Sequence, residues 1–367
     1  MIYCGKTLHR FNIYCKNRRR NRVKKQIVQY VLNFAFLLFV FTITMVSVLQ
    51  GENLKLTVQY ILSADPAWVI LAVACVLIFI IGESVIIRYL LKTLKVKVPF
   101  FHCCLYSFIG FFYSCITPSA SGGQPMQVIA MRKDKIPAAV STVVLAMVTI
   151  AYKLVLVIIG ALILLIQPAS LMVYLENVKG YMLLGLGLNV GCILLLFLVV
   201  FDPHLLKGLT EGALNLWNKI RPLRRPEKVR ARVDRMIEQY RGSAEYFRSH
   251  QHVFFHVLLM TFAQRITLFL IAWMTYKAFH LSGHGILVIT GLQAMISVAA
   301  DMLPLPGGVG VSETLFLEIF EPIFREHLIL PAMMISRGIS YYTQLFISAV
   351  MTVLSAFVLR ENKGKIG

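Results

Sequence analysis

Acid is scarce in this chain. Seventeen Asp and Glu stand against 37 Lys and Arg, and the four charged types together make up only 15% of 367 residues. A soluble globular protein carries about 25%, so that class is excluded. Paired cysteines are missing too. The seven cysteines (Cys4, Cys15, Cys75, Cys103, Cys104, Cys115, Cys192) form no C-x-x-C pair, and five of them fall in apolar runs. They read as small buried hydrophobes, not as a disulfide framework or a zinc site. No H-E-x-x-H, G-x-S-x-G or Walker loop is present, which removes the usual metalloprotease, hydrolase and nucleotide-dependent classes. No catalytic residue, metal or cofactor is expected. His250, His252 and His256, the closest histidines, read as polar residues at a loop–membrane boundary.

What is there is apolar: 58% of the chain is hydrophobic, and runs long enough to cross a bilayer recur along its whole length. The formal net charge of +20 raises nucleic acid as a partner. The basic residues answer by clustering in loops between apolar runs, the pattern of cytoplasmic loops facing anionic lipid. Residues 1–25 hold nine Lys and Arg and no acid. That region is long and the next apolar run is nearly a full span, so a retained first span fits better than a cleaved signal peptide.

Full spans are predicted at 26–49, 66–91, 137–166, 181–201, 253–276 and 328–359. Two further apolar segments, 100–116 and 285–303, run into breaks. The first break reads Thr117-Pro118-Ser119-Ala120-Ser121-Gly122-Gly123-Gln124-Pro125, the second Pro304-Leu305-Pro306-Gly307-Gly308-Val309-Gly310-Val311-Ser312-Glu313. Proline and paired glycine break helices, and open backbone at membrane depth is tolerated only inside protein or beside a watery cavity. A matched pair of such breaks points to a carrier's substrate site.

Loop charge fixes the topology. The basic N-terminus, Lys92–Lys97, Arg132–Lys135, the 202–252 loop and the tail share the cytoplasmic side; 50–65, 168–180 and 277–284 are weakly charged loops outside. Residues 100–131 must then enter and return from the cytoplasm, and 285–324 from outside. The expected fold is all-α and polytopic, with about six full spans and two re-entrant broken helices arranged as an inverted repeat. Its parts are a basic N-terminus (1–25), a transmembrane domain (26–360) with repeat halves 66–166 and 253–359, and a tail (361–367). Lys153 follows its glycine pair by 30 residues, and Arg337 its own by 29. In the 202–252 loop, Val229, Val233, Met236, Tyr240, Ala244 and Phe247 recur at helical spacing. They predict an amphipathic helix, lying on the inner leaflet or packed on other elements.

Ionisable groups inside spans are expensive, so each is a functional candidate. Lys153 and Arg265 lie near the middle of their spans, and Arg337 about a third of the way into the last. Glu83, Asp301, Glu313, Glu318 and Glu321 are the nearby acids, and Arg88 is close enough to a span end to snorkel. The plain alternative is internal charge pairing, with Lys153 or Arg265 meeting Glu83, Asp301 or Glu313. Each break also begins a short helix, capped by Ser121, Gln124 or a nearby hydroxyl in one and by Ser312 in the other. A helix N-terminus favours an anion such as a phosphodiester. The candidate substrate-binding set is therefore Ser119, Ser121, Gly122, Gly123, Gln124, Lys153, Arg265, Asp301, Gly307, Gly308, Glu313 and Arg337.

The two broken segments, with Gln127, Lys135 and Arg337, resemble the lysylphosphatidylglycerol synthase transmembrane-region family. This is the flippase-like membrane part of multiple peptide resistance factors. The resemblance covers about residues 25–360. It implies a cell-membrane protein, both termini cytoplasmic, that moves a phospholipid between leaflets. In two-domain relatives the cargo is aminoacylated phosphatidylglycerol, whose exposure outside protects against cationic antimicrobial peptides. Those relatives add lysine with a soluble C-terminal domain, for which nothing after Arg360 leaves room, so transferase activity is not expected of this polypeptide. Flipping of a polyprenyl-phosphate carrier, or service as membrane subunit to a separate phosphatidylglycerol lysyltransferase, are the other readings. Membrane phospholipid is the expected partner, and nucleic acid is not; energy source, direction of transport and oligomeric state stay open.

Overall fold

The computed structural model describes residues 54–201, 208, 212 and 226–359. The predicted first span at 26–49, the basic segment 1–25 and the tail 361–367 lie outside the described residues. The described residues form helices and no strands: α1 (Leu54–Ser63), α2 (Pro66–Thr93), α3 (Phe100–Ile116), α4 (Gly123–Lys133), α5 (Ala138–Ile166), α6 (Ala169–Leu175), α7 (Lys179–Phe201), α8 (Pro226–Ser249), α9 (Gln251–Ala278), α10 (Ile286–Ala300), α11 (Val311–Phe320), α12 (Glu326–Arg337) and α13 (Gln344–Val358). A π-helical turn, Gly338–Thr343, joins α12 to α13 without a break. Among the described residues, five segments are long and apolar enough to cross a membrane: α2, α5, Ala169–Val200, α9 and Glu326–Val358. The chain is a polytopic α-helical membrane protein. Helices α3 and α10, of 17 and 15 residues, reach only about 25 and 22 Å at 1.5 Å per residue, short of a hydrocarbon core of about 30 Å.

Local chemistry explains the ends. Asp65 caps α2 by accepting the Ala67 N–H at 2.9 Å, with Pro66 at the first helical position, where its missing N–H costs nothing. Two predicted outer loops contain helices instead. Leu54–Ser63 and Ala169–Leu175 carry enough apolar residues to dock, α1 against α12 and α6 against α10, with Leu171 and Leu175 buried. Low charge marked these segments as extramembrane but did not reveal their packing.

The middle of the fold is an antiparallel crossing of α2 and α9. The Asp65 N–H donates to the Ala278 carbonyl at 2.9 Å. Gln264 Nε2 donates to the Phe79 carbonyl at 2.8 Å, and Leu90 and Leu91 share a cluster with Val253 and Val257. The start of one helix thus meets the end of the other. Each is followed by a hairpin, so the hairpins enter from opposite ends. The base of the first is tied where Asp134, ending α4, accepts from Tyr106 and lies 2.9 Å from His102 Nδ1, both on α3. The base of the second stays with the α9 terminus, where Tyr276 and Phe324 meet edge to face at 5.6 Å. The tips meet: the turns Pro118–Ala120 and Pro306–Gly308 touch, and the Tyr341 hydroxyl donates to the Cys115 carbonyl at 3.0 Å. Packing repeats across the halves, with α3 against α13 and α10 against α5. The two sets of elements thus pack in opposite sense.

Apolar area drives little helix association in lipid, so small residues and polar contacts set the interfaces. A Cβ on Gly185 would meet Ala299 Cα at 2.6 Å, so α7 and α10 run backbone to backbone. Asn189 stitches the same seam, donating to the carbonyls of Gly185 and Val298 at 2.8 and 3.3 Å. The outward face of α7 exposes Leu183, Leu194, Leu195 and Phe197, as a lipid-facing helix does.

Helix α8 is the predicted amphipathic segment. Tyr240, Ala244 and Phe247 are buried in one cluster with Val200 of α7 and residues of α5, so its apolar face is spent on the bundle while Met236 stays exposed. Burying a side chain the size of Phe247 is worth about 1.5–3 kcal/mol. Burial pushes the Tyr240 phenol up to about 12. Val229 has no described side chain.

Candidate functional site

A chain of polar and charged side chains crosses the seam between the halves. Lys153, from the middle of α5, is buried and donates to Asp301 at the end of α10, with Met302 Sδ 2.8 Å away. Beside it on α5, Tyr152 carries the guanidinium of Arg265 over its ring at 3.5 Å, and the Phe79 ring of α2 lies 4.9 Å from the same guanidinium. The Arg265 Nε is buried with no hydrogen-bond partner among the described residues. Glu83 on α2 accepts from Gln127 Nε2 of α4 at 2.8 Å. Gln124, one turn earlier, donates to Thr149 of α5. The Lys153–Asp301 pair joins the first half to the second, and Arg265 is a cation with an unfilled donor beside it. An uncompensated buried donor is costly; an anion would satisfy it.

The second hairpin has its own fastening. Glu313, fully buried, accepts from the Gly310 N–H at 2.7 Å and from Arg337 Nε at 2.8 Å. Arg337 also donates through Nη2 to the Gly307 carbonyl at 3.1 Å and lies over the Tyr341 ring at 5.1 Å. Gly307, Gly308 and Gly310 have φ of 60°, 65° and 94°, where a side chain is strained. A Cβ on Gly307 would collide with the Tyr341 ring. Ser312 is not the cap that the sequence suggested: Gly310 holds that position, and Ser312 sits inside the first turn. The reason is the run of left-handed glycines, which starts the helix two residues before Glu313 and lets the Glu313 carboxylate reach back.

At the first tip, Ser119 and Ala120 have left-handed φ of 50° and 53° without being glycine. Thr117, not Ser121 or Gln124, supplies the hydroxyl, accepting the Gly122 N–H at 2.9 Å. Ser121 donates to the Pro118 carbonyl, and Gln124 is taken by Thr149. Pro125 falls in the first turn of α4, which begins at Gly123. Gly123 has a packing role: a Cβ there would lie 2.8 Å from the Gly110 carbonyl, so this pair lets α3 and α4 cross closely. No acid stands in the first turn of α4, and residues 118–121 are exposed.

The predicted residues therefore divide. Lys153, Asp301 and Arg265 come together at the seam. Glu313, Arg337, Gly307 and Gly308 form the second tip, and Ser119, Ser121, Gly122, Gly123 and Gln124 the first. The predicted alternative of charge pairing is realised for Lys153 with Asp301. Glu318 and Glu321 are exposed and belong to no cluster. Among the described residues no group of His, Cys, Asp and Glu is arranged to hold a metal. Outside the predicted set, Tyr152, Thr149 and Tyr341 contribute. Tyr341 was legible as the neighbour of Arg337 at i+4, whereas Thr149 needed the tertiary fold.

The model of the lysylphosphatidylglycerol synthase TM region family matches residues 27–348, most of the chain, and the protein belongs to that family. No curated protein matches it.

Proposed function

We propose that this member of the lysylphosphatidylglycerol synthase TM region family is a lipid translocase, moving a phospholipid such as aminoacylated phosphatidylglycerol between leaflets of the cell membrane. One observation carries the reading: a part-buried Lys153–Asp301 ion pair bridges the two inverted halves, and beside it Arg265 keeps a donor unfilled. A phosphodiester reaching this seam fills the Arg265 donor and competes with Asp301 for Lys153. Binding then weakens the contact between the halves, the differential interaction that an alternating-access change requires. Asp301, once released, faces the ammonium of a lysyl head group. The acyl chains remain in lipid. Moving such a lipid outward would lower negative surface charge and so protect against cationic antimicrobial peptides. The termini lie on the cytoplasmic side, where the basic loops belong.

The test is a leaflet-exposure assay on the full chain in liposomes. Fluorescent phosphatidylglycerol, its lysyl derivative and a polyprenyl phosphate are supplied in turn, and quenching is followed from outside. Protein-dependent movement, fastest for the lysyl lipid, is the expected result. Movement of the polyprenyl phosphate alone would change the cargo. Movement of none would favour the role of membrane subunit to a separate lysyltransferase.

A further inference from the structure

Apart from the seam, the end of α2 holds a cavity of about 720 Å³. Its wall carries Arg88, Lys92, Lys95 and Lys97 beside Leu91 and Val96, and among the described residues no acid lines it. None of the four cations is in an ion pair among the described residues. Arg88 is steadied by the Phe100 ring, 5.4 Å away. Lys95 stands at a helix end that glycine usually takes: its φ is 60°, while the Lys95 N–H bonds to the Lys92 carbonyl at 3.0 Å and the Val96 N–H to the Leu91 carbonyl at 2.9 Å. That is a Schellman closure with lysine in the left-handed position. The closure folds the chain back so that Lys95 and Lys97 face the same space as Arg88 and Lys92. Four like charges around one space repel each other unless an anion joins them.

The neighbouring surface says which anion. Ile78, Ile81 and Val85 are exposed on α2, and Arg88 and Lys92 continue that stripe at spacings of three and four residues, so all five share one face. The face is apolar for about two turns and then cationic, the profile of a phospholipid lying along a helix with its phosphate at the end. A free phosphate would have no use for the apolar stretch. Lys92 lies about 14 Å along the helix beyond Glu83, well away from the seam.

We propose that this cavity and stripe form a second lipid site. It holds the phosphate of an anionic phospholipid among Arg88, Lys92, Lys95 and Lys97, with the acyl chains along Ile78, Ile81 and Val85. The site is occupied by resident lipid and does not depend on translocation.

The test uses the full chain in vesicles of phosphatidylglycerol and phosphatidylcholine, with retained lipid counted by native mass spectrometry after extraction. Wild type keeps one phosphatidylglycerol more than the triple variant Lys92→Gln, Lys95→Gln, Lys97→Gln, and phosphatidylcholine retention is equal. The single variant Arg88→Gln, a milder change, lowers retention in the same direction. The triple Lys→Arg variant keeps the lipid. So does neutralisation of Arg132, Lys133 and Lys135, basic residues outside the cavity. Excess inorganic phosphate leaves the lipid in place. Equal retention in wild type and in both neutralised variants would overturn the site. Equal loss from the Arg132, Lys133 and Lys135 variant would reduce it to diffuse surface charge, and displacement by inorganic phosphate would overturn the assignment to lipid.

Discussion

The second hairpin tip is fastened from within, and the first is not. At the second, the Gly310 N–H meets Glu313, Glu313 meets Arg337, and Arg337 returns to the Gly307 carbonyl. The helix start that would attract an anion already holds one, a carboxylate of the same chain. At the first, the helix start carries no acid, and a threonine hydroxyl does the local bonding. The cation that follows it on α5, Lys153, reaches across to the other half. Two tips with the same glycine pair thus serve different ends: one stiffens its own half, and the other leaves its cation to hold the halves together. An inverted backbone does not impose inverted chemistry.

The comparison is broken most severely at Arg337. Arg337→Met strands the fully buried Glu313 carboxylate, and such a loss costs about 3–5 kcal/mol. Unfolding in detergent is expected to show it, and adding Glu313→Gln to return most of the stability. Lys153→Met acts on the other tip and on the other quantity. Lipid movement is expected to fall at least tenfold, about 1.4 kcal/mol, while insertion and yield stay near wild type because Asp301 is only part-buried and can neutralise. Glycine sharpens the contrast further. Gly307→Ala must place a side chain at φ 60° against the Tyr341 ring and is expected to cost at least about 1–2 kcal/mol. Gly122→Ala, at φ −81°, first meets the Thr117 side chain, which can shift, and thermal shift should rank it well below. The smallest effect runs the opposite way. Ala120→Gly relieves a left-handed alanine and is expected to stabilise by no more than about 1 kcal/mol.

Much of this was legible in the chain because membrane constraints are severe. Lys92–Lys97 and Arg132–Lys135 on one side forced 100–131 to be a hairpin, and the bond between Tyr106 and Asp134 at its base agrees. The breaks at Gly122-Gly123 and Gly307-Gly308 located both tips. Partner choice was less legible. Arg337 and Lys153 stand at nearly equal distances from their glycine pairs, yet one bonds within its hairpin and the other across the seam, a difference decided by where Glu313 and Asp301 fall in three dimensions. The cap was misplaced at Ser312 because residue type favours serine, whereas three left-handed glycines set the true start. Helices α1 and α6 were missed because short docked helices carry little periodicity of their own.

The most direct test of the central claim is the initial rate of lysyl-phosphatidylglycerol movement in liposomes for four proteins: wild type, Lys153→Met, Asp301→Asn, and the exchanged pair Lys153→Asp with Asp301→Lys. If the ion pair across the seam is the element the lipid opens, both single variants lose movement and the exchanged pair recovers part of it. Wild-type rates in Lys153→Met and Asp301→Asn alike would contradict the account, because the lipid would then cross without meeting the charges that join the halves.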